Sequence, residues 1–550
     1  MKLKFALYAL LLSLSLMAQK KKQPNFLIIS CEDISPYLSF YGDKTAHTPN
    51  LDKLAEKSLV FDNAFATVGV CAPSRSSIIT GMYPVSIGTH NMRTGGDVQG
   101  WGNRTYKRSP KRKRIDQEGI PFGTYSVVAP PEVKCFTTLL RKEGYFCTNN
   151  KKTDYQFAAP LSSWDENGET AHFKNRDKNQ PFCSVFNLVV THESRIWLLA
   201  KDSLRVNPKK VPLHSYWPDN DIVRTDMARN YSNIEMMDSE AGKIIQELED
   251  SGEYDNTYIL FYSDHGGPLP RGKRAIYDSG LKIPFMVKLP KNKNNGRTDE
   301  LISGVDIAPT ILSLADIKVP EYMQGQAFLG KQKQVNRDYV FGSADRFDED
   351  YDRIRCIRDK EHMLVFNYYL NQASYLDLEY RRGLPMMQKM LELRDAGKLN
   401  KIQMQWFNPK KVEIEFYDVN EDPEQVNNIA SDPKYKNKIE SMLAELARWQ
   451  EEVKDKGSIP EATLIKMQWP DFKQPITKKP VIKKVGGKYQ VNVVTEGADI
   501  VYRYSNSNEN IKELDHWNVY QKELAKEKGK YLHIKASRIG YADSETVIIK

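Results

Sequence analysis

The chain has 550 residues, of which 40% are hydrophobic and 11% aromatic; this is the composition of a globular protein and excludes gross disorder. Its length predicts two or more domains. The formal net charge of +9 is moderate for this length and is compatible with a polyanionic ligand without identifying one.

The N-terminus has the pattern of a secretory signal peptide. Lys2 and Lys4 precede an apolar run over residues 5–17, and the small residue Ala18 follows it. The run is shorter than the roughly 20 residues that span a bilayer. We therefore expect residues 1–18 to be a signal peptide, the mature protein to be periplasmic or secreted, and no membrane span later in the chain.

Short apolar runs alternate with helical patterns over residues 24–335. The predicted buried strands are residues 24–30, 185–190, 258–262 and 284–289. The predicted helices are residues 50–58 and 223–248. This alternation predicts an α/β domain with helices on both faces of a large, mostly parallel sheet.

The pattern changes after residue 335. Shorter, half-exposed strands are predicted at residues 339–342, 352–357, 363–368 and 413–419, followed by a helix at 436–453. Residues 336–474 are therefore predicted to form a smaller antiparallel sheet with a packed helix. Residues 475–550 contain several short strand patterns in which apolar and polar residues alternate, which predicts a small β-sandwich. This unit resembles the immunoglobulin-like module at the C-terminus of some carbohydrate-active enzymes.

A cysteine opens the sequence Cys-Ala-Pro-Ser-Arg at residues 71–75. Pro73 suits the first turn of a helix, and Ser74 and Ser76 suit its cap. Cys71 would then lie at a helix N-terminus, where partial positive charge favours a thiolate. The pattern predicts a cysteine positioned for reactivity rather than burial; a half-buried cysteine beside an ordinary helix cap is the alternative.

The other five cysteines have no metal-binding or redox spacing, because the chain contains no Cys-x-x-Cys pair. A disulfide between two of them stays open for an exported protein.

Polar side chains directly follow two of the predicted strands. Glu32 and Asp33 follow the first, and Asp264 and His265 follow the third. Active residues of open α/β folds lie at the carboxyl ends of strands. Together these side chains could hold one hard divalent cation, Ca²⁺ or Mg²⁺ rather than zinc. For either pair alone, a loop cap or a surface ion pair is the alternative.

In this order, the motifs resemble those of the formylglycine-dependent sulfatases. The signature Cys-x-Pro-Ser-Arg matches residues 71–75, and residues 48–55 match the family segment that precedes it. The two polar pairs fall at the metal positions of the family, with Glu32 where the family has aspartate. The resemblance extends from residue 24 to about residue 430.

The resemblance implies an alkaline-phosphatase-like α/β fold and the hydrolysis of sulfate esters. It implies that a maturation enzyme converts Cys71 to formylglycine (3-oxoalanine). It also implies one divalent cation, Ca²⁺ more than Mg²⁺. The implied metal ligands are Glu32, Asp33, Cys71, Asp264 and His265.

Four further residues have catalytic roles by resemblance. Lys152 and Lys273 match two lysines that bind sulfate, and Arg75 orients the nucleophile. His192 matches the histidine that protonates the leaving oxygen, a task that suits a side chain titrating near neutral pH. The alternatives are solvated surface residues for the lysines and a loop cap for His192.

The family has a second histidine two residues after its first sulfate-binding lysine. Asp154 stands at that position here. Asp154 or His90 could take over the task of that histidine, which is to expel sulfate and regenerate the aldehyde.

A strongly basic insertion, Lys-Arg-Ser-Pro-Lys-Arg-Lys-Arg, occupies residues 107–114. It is either a solvated loop or an electrostatic lip that attracts a polyanionic substrate. Nucleic acid is disfavoured as a partner, because the chain is predicted to be exported and contains no recognisable recognition module.

The motifs at residues 88–93, 148–155 and 191–194 resemble a bacterial branch of the family labelled heparan N-sulfatase-like, which includes ulvan-active sulfatases. This implies a sulfated carbohydrate as substrate, an algal polysaccharide such as ulvan, with N-sulfoglucosamine glycans as the alternative. Two other functions stay open. One is a phosphodiester or phosphonate hydrolase, and the other is a glycan-binding protein in which Cys71 is never oxidised.

Overall fold

The computed structural model describes residues 23–106, 114–292, 295–509, 514 and 516–550. The predicted signal peptide and the first seven residues of the basic insertion at 107–114 lie outside these ranges. Within them, no helix has both the length and the apolar character needed to cross a bilayer.

The centre of the molecule is an eight-stranded mixed sheet. Its strands and those of a two-stranded ribbon are β1 (Asn25–Cys31), β2 (Ser58–Phe65), β3 (Arg114–Ile115), β4 (Pro121–Phe122), β5 (Phe146–Asn150), β6 (Glu166–Gly168), β7 (Phe182–Leu188), β8 (Thr257–Ser263), β9 (Phe285–Lys288) and β10 (Gly296–Ser303). The order in the sheet is β10-β2-β9-β8-β1-β7-β5-β6, and β3 pairs with β4. Only β9 runs antiparallel to its neighbours in the large sheet.

Strand β1 lies in the middle of this sheet and is buried on both faces. It pairs in parallel with β7 on one side and with β8 on the other. Phe26 and Ile28 face one hydrophobic cluster, and Leu27 and Ile29 face the other. A continuous apolar run is the pattern expected of a strand covered by helices on both sides.

Twelve α-helices are found in the described ranges. They are α1 (Pro49–Ala55), α2 (Cys71–Thr80), α3 (Pro84–Ile87), α4 (Phe136–Lys142), α5 (Ser194–Leu198), α6 (Asp221–Asp250), α7 (Asp278–Leu281), α8 (Ile307–Leu314), α9 (Pro385–Asp395), α10 (Lys401–Met404), α11 (Lys436–Glu452) and α12 (Glu461–Gln468). Helices α2 and α8 cover one face of the large sheet, and α6 covers the other.

The helix predicted at 50–58 is too long at its C-terminal end. Helix α1 ends at Ala55, and Ser58 is the first residue of β2. The Ser58 hydroxyl donates a hydrogen bond to the carbonyl of Leu54, 2.7 Å away. Ser58, which was predicted to be helical, therefore stabilises the turn between α1 and β2.

The predicted smaller sheet is also present. Strands β11 (Val340–Ala344), β12 (Ile354–Arg358), β13 (His362–Asn367) and β14 (Ile414–Asp418) form an antiparallel sheet in that order. Helix α11 packs on it through Trp449, whose ring stacks on Phe341 at 4.8 Å between centroids.

Two further sheets form the C-terminal unit. Their strands are β15 (Val481–Val485), β16 (Lys488–Asn492), β17 (Asp499–Ser505), β18 (Asn518–Val519), β19 (Leu524–Ala525), β20 (Tyr531–Ser537) and β21 (Val547–Ile549). The orders are β15-β16-β19 and β18-β17-β20-β21, and an apolar cluster that includes Val491 and Ile534 contains residues from both. The predicted fold class is confirmed: a large mostly parallel sheet, a small antiparallel sheet and an added C-terminal β unit.

All six cysteines are buried and free. Cys147 and Cys183 are neighbours in register on β5 and β7, but they are not joined. The disulfide that the sequence left open is therefore absent from the structure.

Candidate active site

The two polar pairs meet at one edge of the large sheet. Cys31 and Ser263 are paired at the ends of β1 and β8, so the residues that follow them emerge side by side. The amide of Asp33 donates to Asp264 Oδ1 at 3.2 Å. Asp33 has a φ of 53°, in the left-handed region, which bends the chain sharply just after the strand.

Helix α2 brings Cys71 to the same edge. The helix begins at Cys71, and Val70 is its N-cap residue with no side-chain cap. The prediction that Ser74 and Ser76 cap this helix is wrong. The Ser74 hydroxyl donates a hydrogen bond to the carbonyl of Asp264, and the Ser76 hydroxyl is hydrogen-bonded to the Thr89 hydroxyl. The expectation of an unburied thiol is also wrong: Cys71 is 0% exposed.

Four predicted metal ligands form one compact group. Donor atoms of Asp33, Cys71, Asp264 and His265 all lie within 4.8 Å of one another. His265 Nε2 is 3.1 Å from Asp33 Oδ1 and 3.5 Å from Cys71 Sγ. The fifth predicted ligand, Glu32, belongs to a second group with Asp33 and His192.

The charge balance of the first group suits a cation. Burial disfavours the charged imidazole of His265, but the carboxylates of Asp264 and Asp33 outweigh it and raise its pKa to about 10. Two buried carboxylates this close together need positive charge between them. A divalent cation would supply that charge, and the two carboxylates among the four donors suit a hard ion.

Both predicted sulfate-binding lysines point into this region and contact carboxylates. Lys152 Nζ is 2.5 Å from Glu32 Oε1, and Lys273 Nζ is 2.7 Å from Asp33 Oδ2. Burial alone would raise the pKa of Cys71. The two ammonium groups and hydrogen bonds from two imidazoles outweigh the effect of burial and lower this pKa to about 6. Negative charge at position 71 is therefore stabilised.

Arg75 holds the carboxylates in place. Its guanidinium donates to Asp264 Oδ2 at 2.9 Å, to Glu32 Oε1 at 3.1 Å and to Asn187 Oδ1 at 2.7 Å. Arg75 therefore contacts two candidate metal ligands and Asn187 of β7, and these hydrogen bonds do not involve Cys71.

His192 lies at the open side of the site and is partly exposed. Its Nδ1 accepts a hydrogen bond from the amide of Ser194 at 3.3 Å and lies 2.9 Å from the Ser194 hydroxyl. An acceptor at Nδ1 leaves the proton of the neutral ring on Nε2. Nε2 is 3.9 Å from Glu32 Oε2, so the proton-bearing atom faces the site.

The two candidates for the missing histidine are in different surroundings. Asp154 Oδ2 is 3.5 Å from Lys152 Nζ, and its other oxygen pairs with Arg93 at 2.5 Å. His90 is buried elsewhere. Burial is the main cause of its lowered pKa, and its strongest charged neighbours are Asp345 and Arg355.

Three residues of the site escaped the sequence analysis: Asn187, Glu193 and Arg274. Asn187 is a polar residue near the end of β7. The carboxylate of Glu193 forms an ion pair with Arg274 at 2.9 Å, and the amide of Glu193 donates a hydrogen bond to Asp33 Oδ2 at 2.7 Å. Two signals were available. Asn187 interrupts an apolar run, and Glu193 and Arg274 directly follow His192 and Lys273.

Comparison with known proteins shows the family of this chain. A family model described as Sulfatase matches residues 24–317. An "Ulvan-active sulfatase" of Formosa agariphila is 39% identical over an alignment that covers 96% of this chain and 91% of the relative. The chain belongs to the sulfatase family. The sulfatase is accordingly a sulfuric ester hydrolase.

Three further matches cover parts of the sulfatase. Residues 271–383 match a model described as the C-terminal region of N-sulphoglucosamine sulphohydrolase. The human (Homo sapiens) N-sulphoglucosamine sulphohydrolase is 27% identical and covers 81% of the sulfatase and 93% of its own length. In fold, the sulfatase is similar to a 2-O GAG sulfatase, with a TM-score of 0.56 at 18% identity, over 79% of this chain and 93% of the other.

Proposed function

We propose that the sulfatase removes sulfate esters from an ulvan-type polysaccharide or its oligosaccharides. The observation that carries this substrate is the 39% identity, over nearly the whole chain, to a relative named as ulvan-active. The net charge of +9 suits a polyanionic substrate. Hydrolysis of N-sulfoglucosamine is the second candidate, because residues 271–383 match the model named for that activity.

We assign Cys71 as the site of formylglycine, introduced by a maturation enzyme. We assign Asp33, Asp264 and His265 as ligands of one Ca²⁺ ion, in preference to Mg²⁺, with Glu32 completing the oxygen donors. The formylglycine would supply an oxygen nucleophile, and the cation would neutralise charge on that oxygen and on the sulfate.

Lys152 and Lys273 bind the sulfate oxygens in this proposal. Each ammonium already lies in a buried, acidic environment against Glu32 or Asp33. Charge interactions are strong where water is excluded, so two fixed ammonium groups neutralise the negative sulfate oxygens while the nucleophile attacks sulfur and the electron pair of the S–O bond passes to the sugar oxygen.

His192 supplies the proton that the leaving sugar oxygen takes up. The orientation of the ring supports this assignment, because Nε2 faces the site; the ring protonated at both nitrogens gives up the Nε2 proton and is left neutral. For the position of the missing family histidine we favour Asp154 over His90, because Asp154 contacts Lys152 and His90 lies against a different charge cluster.

We also propose the division of the chain into a signal peptide at 1–18, a catalytic α/β domain at 24–335, a smaller subdomain at 336–474 and an immunoglobulin-like module at 475–550. Export to the periplasm or beyond follows from the basic and apolar pattern of residues 1–18. An exported enzyme would meet sulfated polysaccharides outside the cell.

A competition assay tests the function. Purified enzyme is given ulvan oligosaccharides, N-sulfoglucosamine and a phosphonate monoester, and release of sulfate or phosphonate is followed. We expect desulfation of the ulvan fragments at the highest kcat/KM. Preference for N-sulfoglucosamine would replace the proposed substrate by the second candidate, and preference for the phosphonate would contradict both.

A chelation experiment tests the cation. Treatment with a chelator should abolish desulfation and lower the melting temperature, since the carboxylates of Asp33 and Asp264 would lose their bound charge. Ca²⁺ should restore both better than Mg²⁺. Full activity after exhaustive chelation would contradict the assignment of a metal.

A further inference from the structure

A wide cavity lies directly outside the active site. Its volume is about 1160 Å³, and His192 and Lys273 form part of its wall. Pockets for drug-sized ligands measure roughly 300–1000 Å³. The cavity therefore has room for more of the substrate than the one sugar that carries the sulfate.

Five cationic side chains line this cavity, and four of them are paired with carboxylates. The pairs are Arg93 with Asp154, Lys273 with Asp33, Arg274 with Glu193, and Arg346 with Glu461. The fifth is Arg114, the last residue of the basic insertion. In the part of the chain that the structure describes, Arg114 makes no ion pair.

The guanidinium of Arg114 is held in position without being neutralised. The Arg114 Nη1 atom donates a hydrogen bond to the carbonyl of Arg93. The backbone of Arg114 pairs with Phe122 in the ribbon of β3 and β4. Phe122 is buried in an aromatic cluster with Tyr125 and Trp469, which fixes the ribbon. Arg114 is thus a preorganised cation facing an open cavity.

The surroundings of Arg114 make its charge costly when no anion is present. Burial, followed by the nearby guanidinium of Arg346, lowers the pKa of Arg114 to about 10. A partly desolvated cation without a partner is unfavourable, and an incoming anion removes that cost. Four acidic residues line the cavity. Glu193 and Asp348 pair with Arg274, Glu349 and Glu379 are exposed, and among the described residues none of the four forms an ion pair with Arg114.

We propose that Arg114 binds a second oxyanion of the substrate, carried by the sugar next to the one that loses its sulfate. The fork of a guanidinium matches the paired oxygens of a carboxylate or a sulfate, and a neutral sugar offers no such partner. This inference rests on the proposed function. It makes Arg114 a specificity-determining residue that selects for charge on the neighbouring sugar.

Three disaccharides test the inference. All carry the same sulfated sugar, linked to a neutral sugar, to a uronic acid, or to a sugar with a second sulfate ester. The ratio of kcat/KM for each charged substrate to that for the neutral one is measured in the wild type, Arg114→Gln and Arg114→Lys. Arg448→Gln is the matched control: it removes the same charge from α11, where Arg448 is 59% exposed and does not line the cavity.

We expect the wild type to prefer a charged neighbour by about 10-fold to 100-fold, the range of a charge-assisted hydrogen bond. Arg114→Gln should bring the ratio close to 1 by slowing only the charged substrates. Arg114→Lys should keep part of the preference, and the control should keep all of it. The charged substrate that loses more identifies carboxylate or sulfate as the anion.

An equal ratio in the wild type and Arg114→Gln would overturn the inference while leaving the proposed function intact. A wild type that desulfates the neutral and charged disaccharides equally well would also overturn it. Absence of desulfation for every sulfated carbohydrate would instead refute the proposed function, and this inference with it. Melting temperatures of all variants exclude loss of folding as the cause of a changed ratio.

Discussion

At the scale of single residues, the active site is a balance of buried charges. The carboxylates of Glu32, Asp33 and Asp264 are opposed by Arg75 and two ammonium groups within hydrogen-bond distance. Each partner keeps the other ionised, because an unpaired buried charge would be too costly. A substrate sulfate that enters such a site finds cations that are already fixed and desolvated.

Replacement of Lys273 separates its proposed role in catalysis from its role in stability. Lys273→Met should lower kcat/KM by about 100-fold to 1000-fold, the loss typical of one missing electrostatic group. Lys411→Met is the matched control, since Lys411 forms a similarly buried pair with Asp352 outside the cavity. Both variants should lower the melting temperature, because each leaves a buried carboxylate unpaired.

Only Lys273→Met should reduce the desulfation rate when both variants are assayed well below their melting temperatures. Equal activity of the two variants would show that Lys273 is structural.

At this scale, Cys71 and the polar pairs at the strand ends could be predicted from the local pattern, and Lys152 and Lys273 from the resemblance to the family. Glu193 and Arg274 were adjacent to predicted residues, but their contact with each other could not be predicted. Their pairing at 2.9 Å joins residues 81 positions apart in the sequence, and it becomes visible only when the loops after β7 and β8 are brought together.

At the scale of elements, strands buried on both faces were predictable and half-polar strands were not. The interiors of β1 and β8 are continuous apolar runs, and β7 is largely apolar, interrupted by Ser184 and Asn187. β5 ends in Asn149 and Asn150, whose side chains bond to the neighbouring loop and strand, and no periodicity predicted it. β10 is mostly exposed over its first half, which hides its alternation.

Helix α6 contains a titratable group that couples its packing to pH. Asp226 is buried and accepts a hydrogen bond from the amide of Met386 at 2.7 Å. Burial raises its pKa to about 7, although the Met386 amide and Arg229 oppose the shift. The unfolded value is about 3.9, so the folded state prefers the protonated form. The stability from this group is complete below about pH 4 and is lost as the pH rises through 7.

Asp226→Asn should remove this dependence. The variant should be more stable than the wild type by about 4 kcal/mol at pH 8 and by only about 1.5 kcal/mol at pH 5. Melting curves at the two pH values measure the difference. A difference between wild type and variant that is the same at both pH values would contradict the assignment.

At the scale of the whole molecule, the C-terminal unit is fastened to the catalytic sheet by buried polar contacts. Arg104 donates to both carboxylate oxygens of Asp543, and Lys142 pairs with Asp499 at 3.0 Å. The segment that carries Arg104 also pairs with the loop after β5, through an isolated β-bridge between Gln99 and Lys152. Sequence patterns predicted the unit itself but not this attachment, since the contacts join residues several hundred positions apart.

Breaking this attachment should destabilise the whole molecule. Asp543→Ala leaves the partly buried guanidinium of Arg104 without its carboxylate partner, which costs about 1.5–3 kcal/mol. Glu545→Ala, two residues away, removes an exposed pair with Lys479 and should change stability by less than about 1 kcal/mol. Melting temperatures compare the two variants, and an equal shift would mean that the C-terminal unit is only loosely attached.

The account depends above all on the chemical state of residue 71. The most direct measurement is the mass of the peptide that contains residue 71, taken from preparations made with different amounts of the maturation enzyme, together with the desulfation rate of each preparation. We predict that the rate rises in proportion to the fraction of formylglycine and extrapolates to zero when all of residue 71 is thiol. Full activity in a preparation whose Cys71 is entirely unmodified would contradict the account.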